Sequence, residues 1–135
     1  MALSDLRPVA AAVIVRAGRV LVQVRPDAGP WQGWWEFPGG GVEAGESWEA
    51  CARREALEEV GLEVEVIERL DEVRWSPSGR GGVHVVFLLC SCAAQVEPTP
   101  ELGQELAWVD AEGLRTRRFL PANEALLERL AERLS

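Results

Sequence analysis

Residues 40–62 read GGVEAGESWEACARREALEEVGL, a glycine-rich turn that runs into a segment with helical spacing. Glu55, Glu58 and Glu59 lie at i, i+3 and i+4 in this segment, directly after Arg54, and on a helix they share one face. Like charges at this spacing cost roughly 0.2–0.5 kcal/mol per pair, so an idle surface would gain by replacing one of them. We therefore expect a divalent cation to neutralise the cluster.

The same stretch contains the signals that begin and end the helix. Ser47 is a good N-cap residue, and Gly61 provides a C-terminal stop. From Ser47 onward the apolar spacing is helical, which predicts that Ala50, Leu57 and Val60 share the buried side. The acidic residues are then expected on an exposed face of the helix.

Strand and helix patterns on both sides of this stretch complete the fold. Strands are predicted at residues 8–15, 20–24, 62–73, 83–92 and 106–109, the first two as a hairpin, and a closing amphipathic helix at 121–134. The buried side of that helix is predicted to contain Leu126, Leu127, Leu130 and Leu134. The order β-β-α-β-β-β-α favours an α/β fold of the α+β type, a mixed β-sheet packed between helices. The length of 135 residues fits a single domain over residues 1–135.

The chain is acidic and contains no lysine. It has 22 acidic residues against 14 arginines, a formal net charge of -8. This charge opposes attraction to a nucleic acid polymer, because such binding depends on cationic side chains that displace counterions. It does not oppose a small phosphorylated ligand, since a metal ion and a few arginines can reverse the local field.

The cysteines and apolar runs indicate the compartment. Cys51, Cys90 and Cys92 are odd in number and include no C-x-x-C pair, so we expect reduced core residues rather than disulfides or a zinc site. The longest apolar run, residues 83–92, is far shorter than the roughly 20 residues that span a membrane, and the N-terminus lacks a signal-peptide pattern. We expect a cytoplasmic protein without a membrane partner, and either a monomer or a homodimer.

The spacing of the glycine-rich turn and helix resembles a known motif. The fixed positions are Gly40, five residues, Glu46, seven residues, Arg54-Glu55-Ala56, one residue, Glu58-Glu59, one residue and Gly61-Leu62. This pattern resembles the Nudix box throughout, so the chain is similar to the Nudix hydrolase family, with its box at residues 40–62. The resemblance implies a Nudix-like fold and hydrolysis of a phosphoric anhydride. Carboxylates beside a glycine-rich loop suit Mg²⁺ or Mn²⁺, which bridge to substrate phosphates.

The resemblance also implies roles for individual box residues. Glu58 and Glu59 are the implied main metal ligands, and the Gly39 carbonyl is a further one. Arg54 is implied to orient the neighbouring carboxylates, and Glu55 to act as general base or ligand. Family members differ in which carboxylate deprotonates the attacking water, so Glu55 and Glu58 both remain candidates.

Two further carboxylate positions have open assignments. Glu46 is implied to be either an auxiliary ligand or a structural anchor. A late glutamate usually completes the metal site in the family, and Leu102 stands at its place in this chain. Glu101 and Glu105 flank the gap, and we favour Glu105 as the ligand.

Segments outside the box resemble the MutT branch, whose members hydrolyse nucleoside triphosphates to monophosphates and pyrophosphate. The matching residues are Arg25, the run EFPGG at 36–40 and the run FLPANE at 119–124. The resemblance implies that Arg25 contacts substrate phosphate and that Glu36 and Phe37 belong to the substrate site. Asn123 is implied to hydrogen-bond the base edge, which in this branch reads 8-oxoguanine. Alternatively, Asn123 satisfies backbone amides at a helix N-terminus.

The six tryptophans are predicted either to line the pocket or to pack in the core. We expect at least one of Trp31, Trp34 and Trp35 to line the pocket, where an aromatic face can stack on a base. We expect the remaining tryptophans to be packing residues, namely Trp48, Trp75 and Trp108.

Pro77, fifteen residues past Leu62, encourages the alternative of a nucleoside diphosphate derivative such as ADP-ribose as substrate. A nucleotide-binding regulatory module is less favoured, because such modules commonly lose box carboxylates and this chain keeps them. The leading hypothesis is metal-dependent hydrolysis of a nucleoside triphosphate, with 8-oxo-dGTP as a candidate.

Overall fold

The structure, a computed structural model, describes residues 6–26, 29–77 and 81–134. Its strands are β1 (Arg7–Arg16), β2 (Arg19–Val24), β3 (Trp35–Glu36), β4 (Gly39–Gly41), β5 (Val64–Trp75), β6 (Val83–Cys92) and β7 (Leu106–Val109). Its helices are α1 (Trp48–Val60), α2 (Ala111–Thr116) and α3 (Glu124–Leu134), with a 3₁₀ turn at Pro121–Asn123. The five predicted strands and the two predicted helices are confirmed, with small shifts at their boundaries. The sequence does not predict β3, β4 or α2, because elements this short show no periodicity.

The strands form one mixed sheet with β1 at its centre. The order along the sheet is β3-β2-β1-β6-β5, with β4 paired to β1 and β7 paired to β2. Strand β1 is parallel to β6 and antiparallel to β2 and β4. The first half of β1 pairs with β4 and its end pairs with β2. This division brings the glycine-rich β4 into the middle of the sheet.

The β1–β2 connection is the predicted hairpin. Val15 pairs with Val20 and Arg16 with Arg19, so two residues form the turn. Both of them have positive φ values, 52° at Ala17 and 75° at Gly18. Such values belong to the tight turns whose twist matches that of the flanking strands.

Helices cover both faces of the sheet, as the predicted mixed sheet between helices requires. The buried residues of α1 join a core cluster on one face, and they are Cys51, Ala52, Ala56 and Val60. The second cluster lies on the opposite face and takes Leu114 from α2 with Leu126, Leu130 and Ala131 from α3. Leu127 and Leu134 pack against this second cluster, so the predicted buried side of the closing helix is confirmed. No helix in the described part of the chain is both long and apolar enough to cross a membrane.

Helix α1 begins and ends at the predicted residues. The Ser47 hydroxyl accepts the N–H of Ala50 at 3.0 Å, which satisfies a donor that the first helical turn leaves unpaired. Gly61 ends the helix in the left-handed region with φ 66°. Its N–H donates to the Leu57 carbonyl at 3.1 Å, the expected bond of a glycine C-cap.

The predicted buried side of α1 was partly wrong. Leu57 is 51% exposed, whereas Ala52 and Ala56 are fully buried. Ala50 is only partly buried, and Val60 alone of the predicted trio is fully buried. Small side chains let a helix approach a sheet closely, so α1 turns its alanine side toward the sheet and leaves its leucine outside.

Candidate active site

A cavity of about 620 Å³ opens between the sheet, the acidic side of α1 and the turn before α3. Its sheet face is apolar and contains Val9, Ala11, Val83 and Val85. Glu55 and Glu59 of α1 line one part of the cavity, and Asn123 lines another. The volume lies within the roughly 300–1,000 Å³ of small-molecule sites in proteins.

The glycines of β4 allow α1 to place its carboxylates against the sheet. A Cβ atom on Gly39 would lie 2.4 Å from the Ala10 carbonyl oxygen. A Cβ atom on Gly40 would lie 2.5 Å from the Glu55 carboxyl group. Neither position has room for a side chain, so the bare backbone of β4 is what admits Glu55 to the cavity wall.

Glu59 is hydrogen-bonded through both of its carboxylate oxygens. Oε2 accepts the N–H of Gly39 at 3.0 Å, and Oε1 accepts an N–H of Gln23 at 2.9 Å. Burial, together with the hydrogen-bonded carboxyl group of Glu55, raises the pKa of Glu59 to about 8. The raised pKa favours the protonated form of Glu59 in the metal-free protein, and a bound cation can take the place of that proton.

Gln23, on β2, was not predicted as a site residue. It is 1% exposed, and its Nε2 donates to Glu36 at 3.1 Å as well as to Glu59. Its Oε1 accepts an N–H of Gln104 at 3.0 Å, and the Gln104 amide also donates to the Glu59 carbonyl at 3.2 Å. A glutamine within the apolar strand VLVQV is a usable signal, because a buried amide requires partners.

Arg54 binds a second set of carboxylates around the same helix. Its Nε and Nη2 donate to the two oxygens of Glu46 at 2.7 and 3.0 Å. Its Nη1 donates to Glu55 at 2.8 Å and to Glu58 at 3.2 Å. Nη2 also donates to the Gly41 carbonyl at 3.1 Å. The hydrogen bonds to Glu46 and then Glu55 hold the pKa of Arg54 above its usual range, so Arg54 stays charged and orients these carboxylates.

Glu46 has the geometry of an anchor for Arg54. The paired hydrogen bonds from Arg54, followed by the N–H of Glu43, lower the pKa of Glu46 to about 2. Glu46 is not among the residues that line the cavity. Of its two predicted roles, structural anchor or auxiliary ligand, the geometry favours the anchor.

The donor set at the cavity wall fits a divalent cation in its chemistry. Glu55 and Glu59 contribute hard carboxylate oxygens, whereas Glu58 is 50% exposed and lies outside the cavity, held by Arg54. Within the described ranges, no group of three or more His, Cys, Asp or Glu side chains is clustered closely enough to hold a metal ion. Of the three predicted carboxylate ligands in the box, this conformation brings Glu55 and Glu59 to the cavity.

The late glutamate at the cavity is Glu101. Its backbone N–H donates to the Glu59 carbonyl at 2.9 Å, which ties its loop to the end of α1. Glu101 and the exposed Leu102 line the cavity, but Glu105 does not. The structure therefore does not support the preference for Glu105. Gln104 is turned inward and is 9% exposed, which leaves its neighbour Glu105 on the outer side.

Three of the predicted substrate residues, one on β2's C-terminal side and two in the EFPGG run, lie together at the cavity. Arg25, Glu36 and Phe37 all line it. The Arg25 guanidinium donates to Glu36 at 3.2 Å, so Arg25 already has a carboxylate partner. Phe37 is 4% exposed, and its ring centroid lies 5.6 Å from that of Phe119.

Asn123 faces the cavity from the turn before α3. It is 6% exposed, and its backbone N–H donates to the Leu120 carbonyl at 2.9 Å. Within the residues that the structure describes, its side-chain amide has no hydrogen-bond partner. The alternative role, in which this side chain satisfies helix amides, is therefore absent from the described contacts.

Two tryptophans border the cavity. Trp31 lines it, as expected for at least one tryptophan of its loop, and its ring lies edge-on at 5.0 Å from Trp34. Trp75, predicted as a packing residue, packs with its ring centroid 6.1 Å from that of Trp31 and also lines the cavity. Trp48 and Trp108 pack against the core cluster under α1, as predicted.

Known proteins resemble this chain in sequence and in fold. A family model of the NUDIX domain matches residues 6–133. The CTP pyrophosphohydrolase of Escherichia coli is 34% identical over 122 residues, covering 89% of this chain and 87% of that protein. The 8-oxo-dGTP diphosphatase of Haemophilus influenzae is 34% identical over 95 residues, covering 70% of this chain and 68% of that protein. A MutT structure from a study of Aliivibrio salmonicida and Vibrio cholerae has a TM-score of 0.75 at 26% identity, covering 93% of this chain and 96% of that chain.

These similarities first define a class, the enzymes that carry a Nudix domain. The match extends over nearly the whole chain and includes the box at residues 40–62. The chain belongs to the Nudix family and is a Nudix hydrolase. Nudix hydrolases generally use divalent metal cations.

Proposed function

We propose that this Nudix hydrolase cleaves a nucleoside triphosphate to a nucleoside monophosphate and pyrophosphate, with Mg²⁺ or Mn²⁺ as cofactor. One observation carries the proposal: a single cavity joins the Glu55 and Glu59 carboxylates to an apolar region that ends at Asn123. The first part suits a metal-bound polyphosphate, and the second suits a nucleoside. The names of the relatives, a CTP pyrophosphohydrolase and an 8-oxo-dGTP diphosphatase, support a nucleotide substrate.

The acidic residues of the cavity and of α1 supply the ligands in this proposal. They are Glu58, Glu59 and, as the late glutamate, Glu101, joined by the Gly39 carbonyl oxygen, with Glu55 as a further ligand or as the general base. A divalent cation bound there neutralises phosphate charge and lowers the pKa of a coordinated water. Glu58 joins the set by leaving Arg54, a change of rotamer that its half-exposed position permits.

The reaction needs a base that accepts a proton from the attacking water, with pyrophosphate as the leaving group. The water oxygen attacks a phosphorus atom, a carboxylate takes its proton, and the bond from phosphorus to the bridging oxygen breaks. Glu55 is 15% exposed and lies at the cavity, whereas Glu58 is 50% exposed and lies outside it. This difference favours Glu55 over Glu58 as the proton acceptor, with Arg54 holding it in place.

The nucleoside end of the cavity supports recognition of a base edge. The Asn123 amide is buried, faces the cavity and has no partner among the described residues. An amide offers both a donor and an acceptor, which complements a purine edge such as that of an oxidised guanine. We therefore propose 8-oxo-dGTP as a candidate substrate alongside unmodified triphosphates.

The alternatives receive less support. Pro77, which encouraged an ADP-ribose substrate, is exposed and does not line the cavity. A binding module without turnover is disfavoured, because Arg54 and all the box carboxylates are retained. A small nucleotide, rather than a nucleic acid polymer, agrees with the net charge of -8.

We further place the enzyme in the cytoplasm, on the state of its cysteines. Cys51, Cys90 and Cys92 are free thiols. Burial raises the pKa of Cys51 to about 11 and that of Cys90 to about 12, so both stay protonated. Unpaired buried thiols are usual in reducing compartments.

A substrate panel tests the proposed function. Purified protein is incubated with Mg²⁺ and, separately, with dGTP, 8-oxo-dGTP, CTP and ADP-ribose, and the products are separated by ion-exchange chromatography. Release of pyrophosphate and a monophosphate from a triphosphate supports the proposal. Release of AMP from ADP-ribose alone, or tight nucleotide binding without any turnover, contradicts it.

A further inference from the structure

Arg7 lies over the cavity in contact with a glycine that the Nudix box does not require. The ideal Cβ position on Gly41 is 3.0 Å from Arg7 Nη2 and 3.2 Å from Arg7 Nε. Gly41 does not adopt a positive φ, so its backbone does not call for glycine. What the missing side chain provides is room for the Arg7 guanidinium against β4.

The charge balance of the cavity makes this arginine unusual. Four glutamates line the cavity, and they are Glu36, Glu55, Glu59 and Glu101. Only two of the described arginines line it, Arg7 and Arg25, and Arg25 is paired with Glu36 at 3.2 Å. Within the described residues, Arg7 has no carboxylate within ion-pair distance and no side-chain hydrogen bond.

An unpaired arginine at an acidic cavity suits an anionic ligand. Arg54, the other arginine near β4, is occupied by Glu46, Glu55 and Glu58. Among the described arginines at the cavity, Arg7 is therefore the one that can meet a polyphosphate beside Glu55 and Glu59 without first leaving a carboxylate partner. Arg7 is also well suited by type, since the guanidinium fork matches phosphate oxygens in a bidentate geometry.

We propose that Arg7 binds a non-bridging phosphate oxygen of the nucleoside triphosphate and that the lack of a side chain at Gly41 gives its guanidinium room beside β4. This inference rests on the proposed function. Arg7 is then a phosphate-binding residue, supplied by the first strand of the sheet and outside the Nudix box. The other described arginine at the cavity, Arg25, already donates a hydrogen bond to Glu36 at 3.2 Å.

The experiment compares Arg7→Gln and Arg7→Lys with a matched control, Arg19→Gln. Arg19 is likewise an exposed arginine at the start of a strand, but it does not line the cavity. Steady-state kinetics on the best triphosphate gives KM and kcat, and calorimetry gives the affinity for its α,β-methylene analogue and for the bare nucleoside. Arg7→Gln should lower the affinity for the analogue by roughly 10- to 100-fold, the range for a lost hydrogen bond to a charged group, and raise KM accordingly. Arg7→Lys should recover part of the loss, and nucleoside affinity should stay unchanged.

A second variant tests the role of Gly41. Gly41→Ala should shift the Arg7 guanidinium by a few tenths of an ångström and modestly weaken binding of the analogue in the otherwise wild-type protein, but have little further effect in the Arg7→Gln background. An equal loss of affinity from Gly41→Ala with and without Arg7→Gln would contradict the proposal that Gly41 acts through Arg7.

Each remaining outcome separates this inference from the proposed function. Unchanged analogue affinity in Arg7→Gln overturns the inference, and so does an equal loss of nucleoside affinity, which would place Arg7 at the base or sugar. Wild-type protein that hydrolyses no nucleoside triphosphate overturns the proposed function. Hydrolysis with an unchanged KM in Arg7→Gln defeats the Arg7 inference alone.

Discussion

The side-chain amide of Gln23, which is buried on β2, donates a hydrogen bond to the Glu59 carboxylate of α1 at 2.9 Å. The other oxygen of Glu59 is bound by the Gly39 N–H, so the carboxylate is restrained from two directions. Restraint of this kind reduces the ordering that a cation must impose when it binds. Gln23 therefore acts as a positioning residue for a proposed metal ligand.

Replacing Gln23 should raise the metal requirement of the enzyme. Gln23→Leu removes the bond to Glu59 and leaves the Gln104 amide without one of its acceptors, at a cost of about 1–3 kcal/mol in the free energy of unfolding. The Mg²⁺ concentration that gives half-maximal activity should rise roughly 10- to 100-fold, the usual effect of losing such a supporting contact. Gln95→Leu, in an exposed turn, is the control. A loss of stability with an unchanged Mg²⁺ requirement would mean that Gln23 is only structural.

Glu58 and Glu59 should both be needed for turnover despite their different surroundings. Glu59→Gln and Glu58→Gln each remove a charged oxygen ligand, so we expect kcat/KM to fall by at least about 100-fold. The Glu58 variant should fold normally, because its side chain is 50% exposed. Glu63→Gln, at an exposed position just past α1, is the control. Near-normal kcat/KM in either active-site variant, measured at saturating Mg²⁺, would contradict the assigned roles.

The sequence predicted those parts of the fold that depend on short-range signals. Ser47 and Gly61 form hydrogen bonds with residues only three to five positions away in the chain, so the limits of α1 could be predicted from their identities. The side of α1 that is buried depends on how closely the sheet approaches, and Leu57 was therefore misplaced. Glu105 was misplaced for a similar reason, because one residue in an irregular loop decides which side chain turns inward.

The site was predictable where residues lie close together in the chain and not where they meet across the fold. Arg54 and its carboxylate partners belong to one continuous motif. Gln23 and Gln104 are 81 residues apart, and only the pairing of β2 with β7 and the folding of the loop before β7 bring them together. The position of Arg7 over Gly41 likewise follows from the pairing of β1 with β4, which no local pattern indicates.

The metal-free protein should lose stability as the pH rises from about 5 to about 8. Burial and Glu55 raise the pKa of Glu59 from 4.5 to about 8 in the folded state. Between these values the folded state holds a proton that the unfolded state has released, so the free energy of unfolding decreases as pH increases, by at most about 1.4 kcal/mol per pH unit for one proton. Urea unfolding in EDTA at several pH values measures this slope. Subtracting the slope of Glu59→Gln isolates the contribution, and parallel curves for the two proteins would contradict it.

Asn123 should control which base is preferred rather than how fast phosphate chemistry proceeds. The amide is buried at the cavity without a described partner, so Asn123→Ala removes a donor and an acceptor for the base while leaving the carboxylates intact. We expect the ratio of kcat/KM between the preferred triphosphate and one with a different base to fall roughly 10-fold, the effect of about one lost hydrogen bond. Glu124→Ala, at the adjacent exposed residue, should leave the ratio unchanged. A purely structural role for Asn123 would instead lower the melting temperature and reduce activity on every triphosphate by the same factor.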